Sequence, residues 1–578
     1  MSTETRPTSG GDIIDWEIIR RKLESIAYAG AKTVTNLAHS RAIKEGRELS
    51  VAILDRKGDV VVIDDPLQLV NAAGAARGVL KRFAFDFRDG DAVLLNDPYL
   101  GGGRLHDFTI MVPYAFRDSL RGYIVVRAAM PDIGGDAPGS YVPTGREIWA
   151  EGVPIPPLKL YRFGKPQKDV MTSVLLNSRS GEEMRDNLDA MLAGVEIVQR
   201  RLNELYSANG AERMAASMAY TLDYAERRAR ARIENWSDGT FRAERATDHD
   251  GAGGPAVRIR MSVTVSGTDI AVDLSESDEA TESFLNSTLS ATEAAVARAL
   301  FAVLGPGVPA NTGSLRVLTV SCEEGRVANP SFPAAVNGGV VHLSGEIASG
   351  VAEAFEASAD SGVGPVSAPR SLILARPETG EGNAVDLSAW AIAGCGGAAG
   401  RDGWGPAHLA SRPERPSAEE WEIATEISVR RIEMLRDSAG VGQWRGSPGL
   451  EVVMDIPDDY VWTVSRDGET HTASGMRGGR AGSASALRLE TAEGRPVDLG
   501  SVCVSKPVGP VRATLRFGGG GGYGDPKLRD RDALREDVVD GLLSADAAAR
   551  DYGFELDEQT RAESTALAHA NDDGRGVS

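Results

Sequence analysis

Two hydrophobic periods alternate irregularly along the chain, and this alternation limits the fold more than any other feature. Apolar residues recur at steps of three and four over Trp16, Ile19, Leu23, Ile26, Val34 and Leu37, with one double step across Gly30, which predicts a helix over about residues 13 to 45. The β-branched runs 51–55 and 60–64 flank a Gly-containing connection and predict a β-hairpin. No repeat period is found, which argues against a solenoid. The sequence therefore predicts an α+β fold: a large, multi-layer mixed α/β chain with several sheets, long helices and no repeats.

The rest of the chain continues this mixed pattern. Strands are predicted at 91–96, 108–116 and 122–129, short strands over 241–275 and after 420, and loop or short strands over 306–342. Helices are predicted at 180–206, 211–234 and 288–304, with a helix pair over 528–553. The segment 395–418 is the most linker-like, although such a loop can also be a lid. We expect a disordered tail at 1–12, an N-terminal α+β region at 13–240, a central α+β region at 241–418, a mainly β region at 419–555 and a polar tail at 556–578.

Charge and cysteine content narrow the function classes. The chain carries 83 acidic and 63 basic residues, a net charge of −20, which disfavours nucleic acid and membrane surfaces as partners. The three cysteines Cys322, Cys395 and Cys503 are far apart and form no CxxC pair, so neither a disulfide framework nor a zinc-thiolate site is expected. The first residues lack the apolar core of a signal peptide, and no run of about 18 apolar residues occurs. We expect a cytoplasmic protein.

The segment from Asn96 to Asp107, NDPYLGGGRLHD, contains the residues best suited to chemistry. Its glycine triplet allows the backbone to approach a ligand, while His106 and Asp107 supply a titratable ring and an oxygen ligand for a hard metal. This composition suits an active-site loop. The alternative is that Asp97 and Pro98 form a turn and His106 caps a strand, and the spacing alone leaves both open.

Two other segments give weaker signals. The acidic loop 131–136, which contains Asp132, and the nearby Glu147 and Glu151 could bind a cation or serve as a general base, but carboxylates at strand ends more often cap and turn. The glycine-rich run 517–526 lacks the Gly-Lys-Ser/Thr ending of a phosphate loop, and Pro526 interrupts where a dinucleotide-binding helix would begin. It is therefore a poor nucleotide cradle, and a tight turn is the better interpretation.

Nine ordered segments of the chain resemble the hydantoinase B/oxoprolinase family over about residues 13 to 555. They include NDPYLGGGRLHDFTIMVP, PDIGG with REIWAEGVPIPPLKL, GPGVPANTGSLR, NPSFPAAVNGG, DSAGVGQWRGSPGLE and GGGGGYGDP. The family comprises B subunits of ATP-dependent hydantoinases, half of 5-oxoprolinase, and subunits of acetone and acetophenone carboxylases. The resemblance implies that the chain works in a hetero-oligomer with an A-type subunit, which binds ATP and activates a small-molecule substrate that the B part then hydrolyses or carboxylates.

The resemblance also implies which residues form the site. The candidate catalytic residues, on segments that match the family's active-site loops, are Asn96, Asp97, His106, Asp107, Asp132 and Glu151. We expect Asn96, Asp97, Asp107, Asp132 and Glu151 to line one pocket. Three positions of the family's metal ligands are here Arg104, Asp107 and Ala129, so a divalent metal could be held only through Asp107. We expect an Arg104–Asp107 ion pair instead. The alternative function is a non-catalytic paralogue that scaffolds or regulates such a complex.

Overall fold

The computed structural model describes residues 10–364, 371–377, 385–387, 394–405, 417–458 and 460–556. Within these residues the helices are α1 Gly10–Leu37, α2 Arg41–Lys44, α3 Leu69–Arg82, α4 Ile148–Glu151, α5 Lys168–Leu176, α6 Gly181–Asn209, α7 Ala211–Ile233, α8 Leu289–Leu304, α9 Ser344–Ala359, α10 Ala418–Thr425, α11 Arg531–Val539 and α12 Ala545–Tyr552. Among the residues so described, no helix is both long and apolar enough to cross a membrane.

The strands lie between these helices in irregular order. They are β1 Leu49–Leu54, β2 Val60–Ile63, β3 Ala92–Leu95, β4 Asp107–Phe116, β5 Ser119–Ala129, β6 Leu158–Arg162, β7 Lys165–Pro166, β8 Gly239–Ala246, β9 Arg258–Ser266, β10 Asp269–Asp273, β11 Leu318–Ser321, β12 Leu372–Pro377, β13 Val385–Asp386, β14 Ser428–Met434, β15 Leu450–Ile456, β16 Tyr460–Ser465, β17 Ala486–Thr491, β18 Pro496–Val497, β19 Val502–Val508 and β20 Val511–Phe517. Several sheets combined with long helices confirm the predicted α+β class.

The first sheet positions the segments of greatest interest. Its strand order is β2-β1-β5-β4-β3-β6-β7, and every pair in it is antiparallel. Apolar residues on one face pack against α1 and α6, and those on the other face pack against α3. Burial on both faces explains why β1, β2 and β3 are apolar except for Ser50. The loops that follow β3 and β5 leave this sheet at the same end, because β4 and β5 pair Asp107 with Ala129.

Three further sheets carry the rest of the chain. Their orders are β11-β10-β9-β8, β13-β12-β16-β19 and β14-β15-β20-β17-β18, and the β10–β11 pair is parallel. Helices α8 and α9 pack against each other beside the second sheet. The third and fourth sheets enclose a separate apolar cluster around Trp462. The division at residues 240 and 418 stays a prediction.

Several boundaries and one helix differ from the sequence-based expectations. Helix α1 begins at Gly10 and ends at Leu37 rather than near 45, because the side chain of Asn187 accepts the N–H groups of His39 and Ser40 where the chain leaves the helix. The segment expected to be loop or short strands over 306–342 contains the short strand β11 and ends in a π-helical turn, Gly339–Leu343, which leads directly into the unexpected helix α9.

The expectation that residues 395–418 form a linker is only partly correct. The beginning of this segment packs firmly, since Gly397 donates to Gly521 and Ser447 donates to Cys395. Residues 406–416 of this segment lie outside the described residues. Its end, from Ala418, begins helix α10.

Candidate active site

Asn337 ties together the three segments that the sequence singled out. Its side-chain oxygen accepts the N–H of Leu105 at 3.3 Å, its side-chain nitrogen donates to the carbonyl of Ser140 at 3.1 Å, and its backbone N–H donates to Glu151 at 2.8 Å. The residue is fully buried. The loop before β4, the loop after β5 and helix α4 therefore meet at one point. Sequence reasoning missed Asn337, although it lies in the quoted segment NPSFPAAVNGG.

Asn96 and Asp97 hold the first of these loops in place. The Asn96 amide donates to the carbonyls of Leu105 at 2.8 Å and Val153 at 3.1 Å, and its oxygen accepts the N–H of Ile155 at 2.6 Å. Asp97 accepts the N–H of Tyr99 at 2.9 Å and so caps the short turn that begins at Pro98, as the turn alternative expected. Burial raises the pKa of the Asp97 carboxyl. Asp97 therefore fixes the loop through its own backbone, and Asn96 also joins it to the backbone at Val153 and Ile155.

The glycine triplet serves packing as well as loop geometry. Gly101 has φ +109°, and a Cβ there would collide with the backbone of Gly74 on α3. A Cβ at Gly103 would lie 2.7 Å from a carboxylate oxygen of Asp107. The absence of side chains thus brings α3 onto the loop, whereas the sequence suggested that the glycines serve the approach of a ligand.

His106 is buried behind the loop that follows β5. Its Nε2 lies 3.0 Å from the carbonyl oxygen of Gly139, its ring stacks on Tyr141 with centroids 4.5 Å apart, and its Nδ1 has no partner among the described residues. Burial and the charge of Arg104 lower the pKa of His106 to about 4, so the ring is neutral at physiological pH. His106 therefore contacts Gly139 and Tyr141, whereas its neighbour Asp107 pairs with arginines.

Arg104 and Asp107 form the expected ion pair. Nε of Arg104 lies 3.1 Å from Oδ1 of Asp107, and the remaining guanidinium nitrogens donate to the Tyr141 hydroxyl at 2.5 Å and to the Glu48 carboxylate. Burial alone would raise the pKa of Asp107, but Arg104 and Arg127 outweigh it, so the pKa is lowered. Asp107 is therefore a carboxylate held between cations.

Two buried arginines near Asp107 were missed in the sequence. Arg127 on β5 approaches Oδ2 of Asp107 at 3.5 Å, and Arg298 on α8 is close enough to interact electrostatically with both of them. Each stands inside an otherwise apolar run, GYIVVRAA and AAVARALFAV. A single arginine in such a run is the signal that could have found them, because arginine is seldom fully buried unless paired.

These residues do not fit a divalent metal. Asp107 pairs with two guanidinium groups, Arg104 and Arg127, which only donate hydrogen bonds; Arg298 adds positive charge at longer range, and Ala129 has no ligand atom. Across the described ranges, no group of three His, Cys, Asp or Glu side chains is arranged to hold a metal ion.

Asp132 closes the loop after β5. Its carboxylate accepts the N–H groups of Gly134 at 3.0 Å and Gly139 at 2.9 Å, and it pairs with Arg179 at 3.2 Å. Because His106 contacts the carbonyl of Gly139, Asp132 also sets the position of that ring indirectly. The charges of Asp107 and Asp132 both act on the pKa of His106, so the two loops lie side by side.

Glu151 ends helix α4 and is completely buried. Its two oxygens accept the N–H groups of Val336 at 2.9 Å and Asn337 at 2.8 Å. Burial raises its pKa to about 8, although these two hydrogen bonds lower it. A carboxyl group that titrates near neutral pH is suited to give or take a proton.

An apolar cavity of about 300 Å³ lies behind the same segments. Phe108 and Ile133, which line it, directly follow Asp107 and Asp132, and Val153 lies two residues after Glu151. The other residues that line it come from the segment 154–158, from α5 and the residue that follows it, and from α6: Pro154, Ile155, Pro156, Leu158, Asp169, Val170, Ser173, Val174, Asn177 and Met184. The six predicted site residues are thus on adjoining segments, with Asp107 among arginines and Glu151 against the loop at 336–337.

Comparison with known proteins places this arrangement in a family. The family model described as hydantoinase B/oxoprolinase matches residues 12–526. Caprolactamase subunit beta of Pseudomonas jessenii is 26% identical over 567 residues, covering 94% of this chain and 96% of the relative. The acetophenone carboxylase delta subunit of Aromatoleum aromaticum is 24% identical over 579 residues, covering 91% of this chain and 84% of the relative.

A solved structure has the same fold. The crystal structure of ATP-dependent caprolactamase from Pseudomonas jessenii superposes with a TM-score of 0.87 at 24% identity, covering 97% of this chain and 100% of the matched chain. Because the family model spans most of the sequence, the chain belongs to the hydantoinase B/oxoprolinase family.

Proposed function

We propose that the chain is the B-type subunit of an ATP-dependent complex that hydrolyses a cyclic amide. Carboxylation of a ketone is the other reaction found in this family. Membership of the family supports this class, and the similarity to caprolactamase subunit beta in both length and fold favours a cyclic amide. The observation that carries the proposal is Glu151, a buried acid that titrates near neutral pH where three loops of the site meet.

The residues take different parts in this proposal. Glu151 gives or takes the proton of the reacting group, while Asn96, Asp97 and Asp132 hold the surrounding loops. Neutral His106 offers one ring nitrogen, Nδ1, that no described residue contacts by a hydrogen bond. Asp107 acts through its ion pairs and holds no metal in this scheme.

ATP belongs to an A-type partner subunit in this proposal, which makes the complex a hetero-oligomer. The glycine-rich run at 517–525 is committed to packing, since Gly520 donates to Ser447 and Gly522 donates to Arg480. Few of its N–H groups are left to bind phosphate. The three free cysteines are compatible with a cytoplasmic location.

The second candidate is a non-catalytic paralogue that scaffolds or regulates such a complex. The Arg104–Asp107 ion pair favours it, because it fills a position at which the resemblance implies a metal ligand. A separate B-type chain would then perform the reaction.

Turnover by the complex that co-purifies with an A-type subunit distinguishes the candidates. The assay measures ATP hydrolysis with caprolactam, hydantoin or 5-oxoproline, and with acetone or acetophenone plus bicarbonate. We expect turnover with one cyclic amide, a loss of at least about 100-fold in Glu151→Gln, and no change in the exposed control Glu282→Gln. Full activity of Glu151→Gln would exclude Glu151 from the reaction, and no turnover with any substrate would favour the non-catalytic candidate.

A further inference from the structure

Arg298 is a buried cation with no ion-pair partner in the part of the chain that the structure describes. It lies on helix α8 and is 5% exposed, and its Nε donates to the carbonyl oxygen of Leu67 at 3.1 Å. It forms no ion pair with any described residue, since Asp65 and Asp107 act on it only at longer range. A guanidinium group that has left water without a partner carboxylate is unfavourable, so such a group calls for an explanation.

Arg127 and Asn71 have unused polar atoms in the same region. Arg127 is 2% exposed and donates through one terminal nitrogen to Thr109 at 2.9 Å, but its Nε has no partner among the described residues. Asn71 on α3 is equally buried; its side-chain nitrogen donates to the side-chain oxygen of Gln68 at 3.4 Å, and its side-chain oxygen, an acceptor, has no partner among the described residues. A Cβ at Gly103 would lie 3.2 Å from the Asn71 amide nitrogen and 3.7 Å from an Arg127 terminal nitrogen, so both groups border this loop.

The charges of the cluster do not balance. Arg104 pairs with Glu48 and Asp107, and Arg127 shares Asp107, so three guanidinium groups including Arg298 have two carboxylates within ion-pair distance. The surplus positive charge is on the side of Arg298 and Arg127. Burial lowers the pKa of Arg298 to about 10, more than Asp65 and Asp107 compensate, which is consistent with poor neutralisation.

We propose that Arg127 and Arg298 bind one oxyanion group of a ligand, either a carboxylate or a phosphoryl group. Guanidinium groups recognise both through paired N–H donors. Asp107 does not compete for the same donors, because its oxygens face Arg104 and one terminal nitrogen of Arg127. The oxyanion would neutralise the surplus charge, and the site is distinct from the proton-transferring role proposed for Glu151.

The test uses the purified full-length chain in a buffer free of phosphate and carboxylates. Thermal unfolding and calorimetric titration are recorded with inorganic phosphate, with acetate, and with chloride at matched ionic strength. We expect phosphate or acetate, but not chloride, to raise the melting temperature in a saturable manner. Phosphate alone would identify a phosphoryl ligand, and acetate alone a carboxylate.

Variants separate ligand binding from a structural role. Arg298→Met should weaken anion binding by at least about tenfold. In the absence of anion it should raise the melting temperature, because it removes an unpaired buried charge. The control Arg316→Met removes a partly exposed arginine paired with Asp223 and Glu226, and it should leave anion binding unchanged. If Arg298→Met does not fold, Arg298→Lys replaces it in the anion-binding test, because lysine keeps the charge but loses the paired donors.

The proposal is overturned if neither anion stabilises the chain more than chloride does, or if Arg298→Met retains the wild-type response. No ATP turnover enters these measurements, so their failure would leave the proposed function untouched. An inactive complex would likewise not affect the anion-binding result.

Discussion

Glu151 accepts a hydrogen bond of 2.8 Å from the backbone N–H of Asn337, which lies 186 positions further along the chain. Through the side chain of Asn337, the same contact reaches Leu105 and Ser140. The charge of one buried carboxyl group is thus coupled to the geometry of three loops. Protonation of Glu151 changes both its chemistry and the strength of the contacts that hold the site together.

The first prediction concerns the pH dependence of stability. Burial raises the pKa of Glu151 from 4.5 to about 8, so between these values the folded state holds a proton that the unfolded state has lost. The free energy of unfolding should therefore fall as pH rises from about 5 to 8, by up to about 1.4 kcal/mol per pH unit for this group. Glu346, with its pKa raised by burial to about 8, adds to the same trend.

Glu151→Gln tests this prediction, because glutamine has no proton to lose. Urea unfolding measured from pH 5 to 8.5 should show a shallower dependence than in the parent chain. Glu282→Gln, at an exposed position, should keep the parent slope. Equal slopes in all three proteins would show that Glu151 is ionised throughout this range.

The second prediction concerns Asn96. Replacing it by alanine removes three buried hydrogen bonds and leaves the Leu105 and Val153 carbonyls and the Ile155 N–H without this partner. We expect a loss of about 3 kcal/mol in the free energy of unfolding. In Asn209→Ala, which loses one bond to Leu205 near the end of α6, the loss should stay below about 1 kcal/mol. Similar losses in both variants would argue against a special structural role of Asn96.

The sequence predicts the elements whose hydrophobic pattern has one polar face. Helices α6 and α7 follow the expected ranges because each is buried along one stripe only. Helix α9 was missed because it is buried nearly all round and is rich in Gly, Ala and Ser, which removes the amphipathic period. The early end of α1 depends on Asn187, and no local pattern reveals such a contact.

From the sequence, the site can be predicted only where its interacting residues lie in one segment. The loop from Asn96 to Asp107 was recognised by its composition and by resemblance, and its Arg104–Asp107 pair spans three residues. Asn337 and Arg298 act on this region from more than 180 residues away, so their roles depend on tertiary packing. The glycines were recognised as special, but their contact with α3 through Gly74 needed the structure.

The third prediction separates backbone strain from helix packing at Gly101. Gly101 and Gly164 both have positive φ, at +109° and +74°, but a Cβ would collide with Gly74 at the first and meets nothing within 4 Å at the second. Gly164→Ala should cost about 1 to 2 kcal/mol from backbone strain alone. Gly101→Ala should cost clearly more, because α3 must also move away. Chemical denaturation measures both values, and equal costs would show that the loop can shift without penalty.

The last prediction concerns the metal content of the purified chain. Arg104 and Arg127 pair with Asp107, and Arg298 acts on it at longer range, so a divalent cation there would meet three positive charges, and the nearby Glu48 carboxylate is already paired with Arg104. Elemental analysis of protein grown with manganese, zinc or iron should therefore find far less than one equivalent, and a chelator should leave the melting temperature unchanged. Arg104→His combined with Ala129→His adds two imidazole ligands beside Asp107 and removes one cation, so this variant should bind more manganese than the parent. Stoichiometric metal in the unmodified chain would mean that His106 or a residue outside these loops ligates it, and the non-catalytic candidate would then lose the observation that favours it.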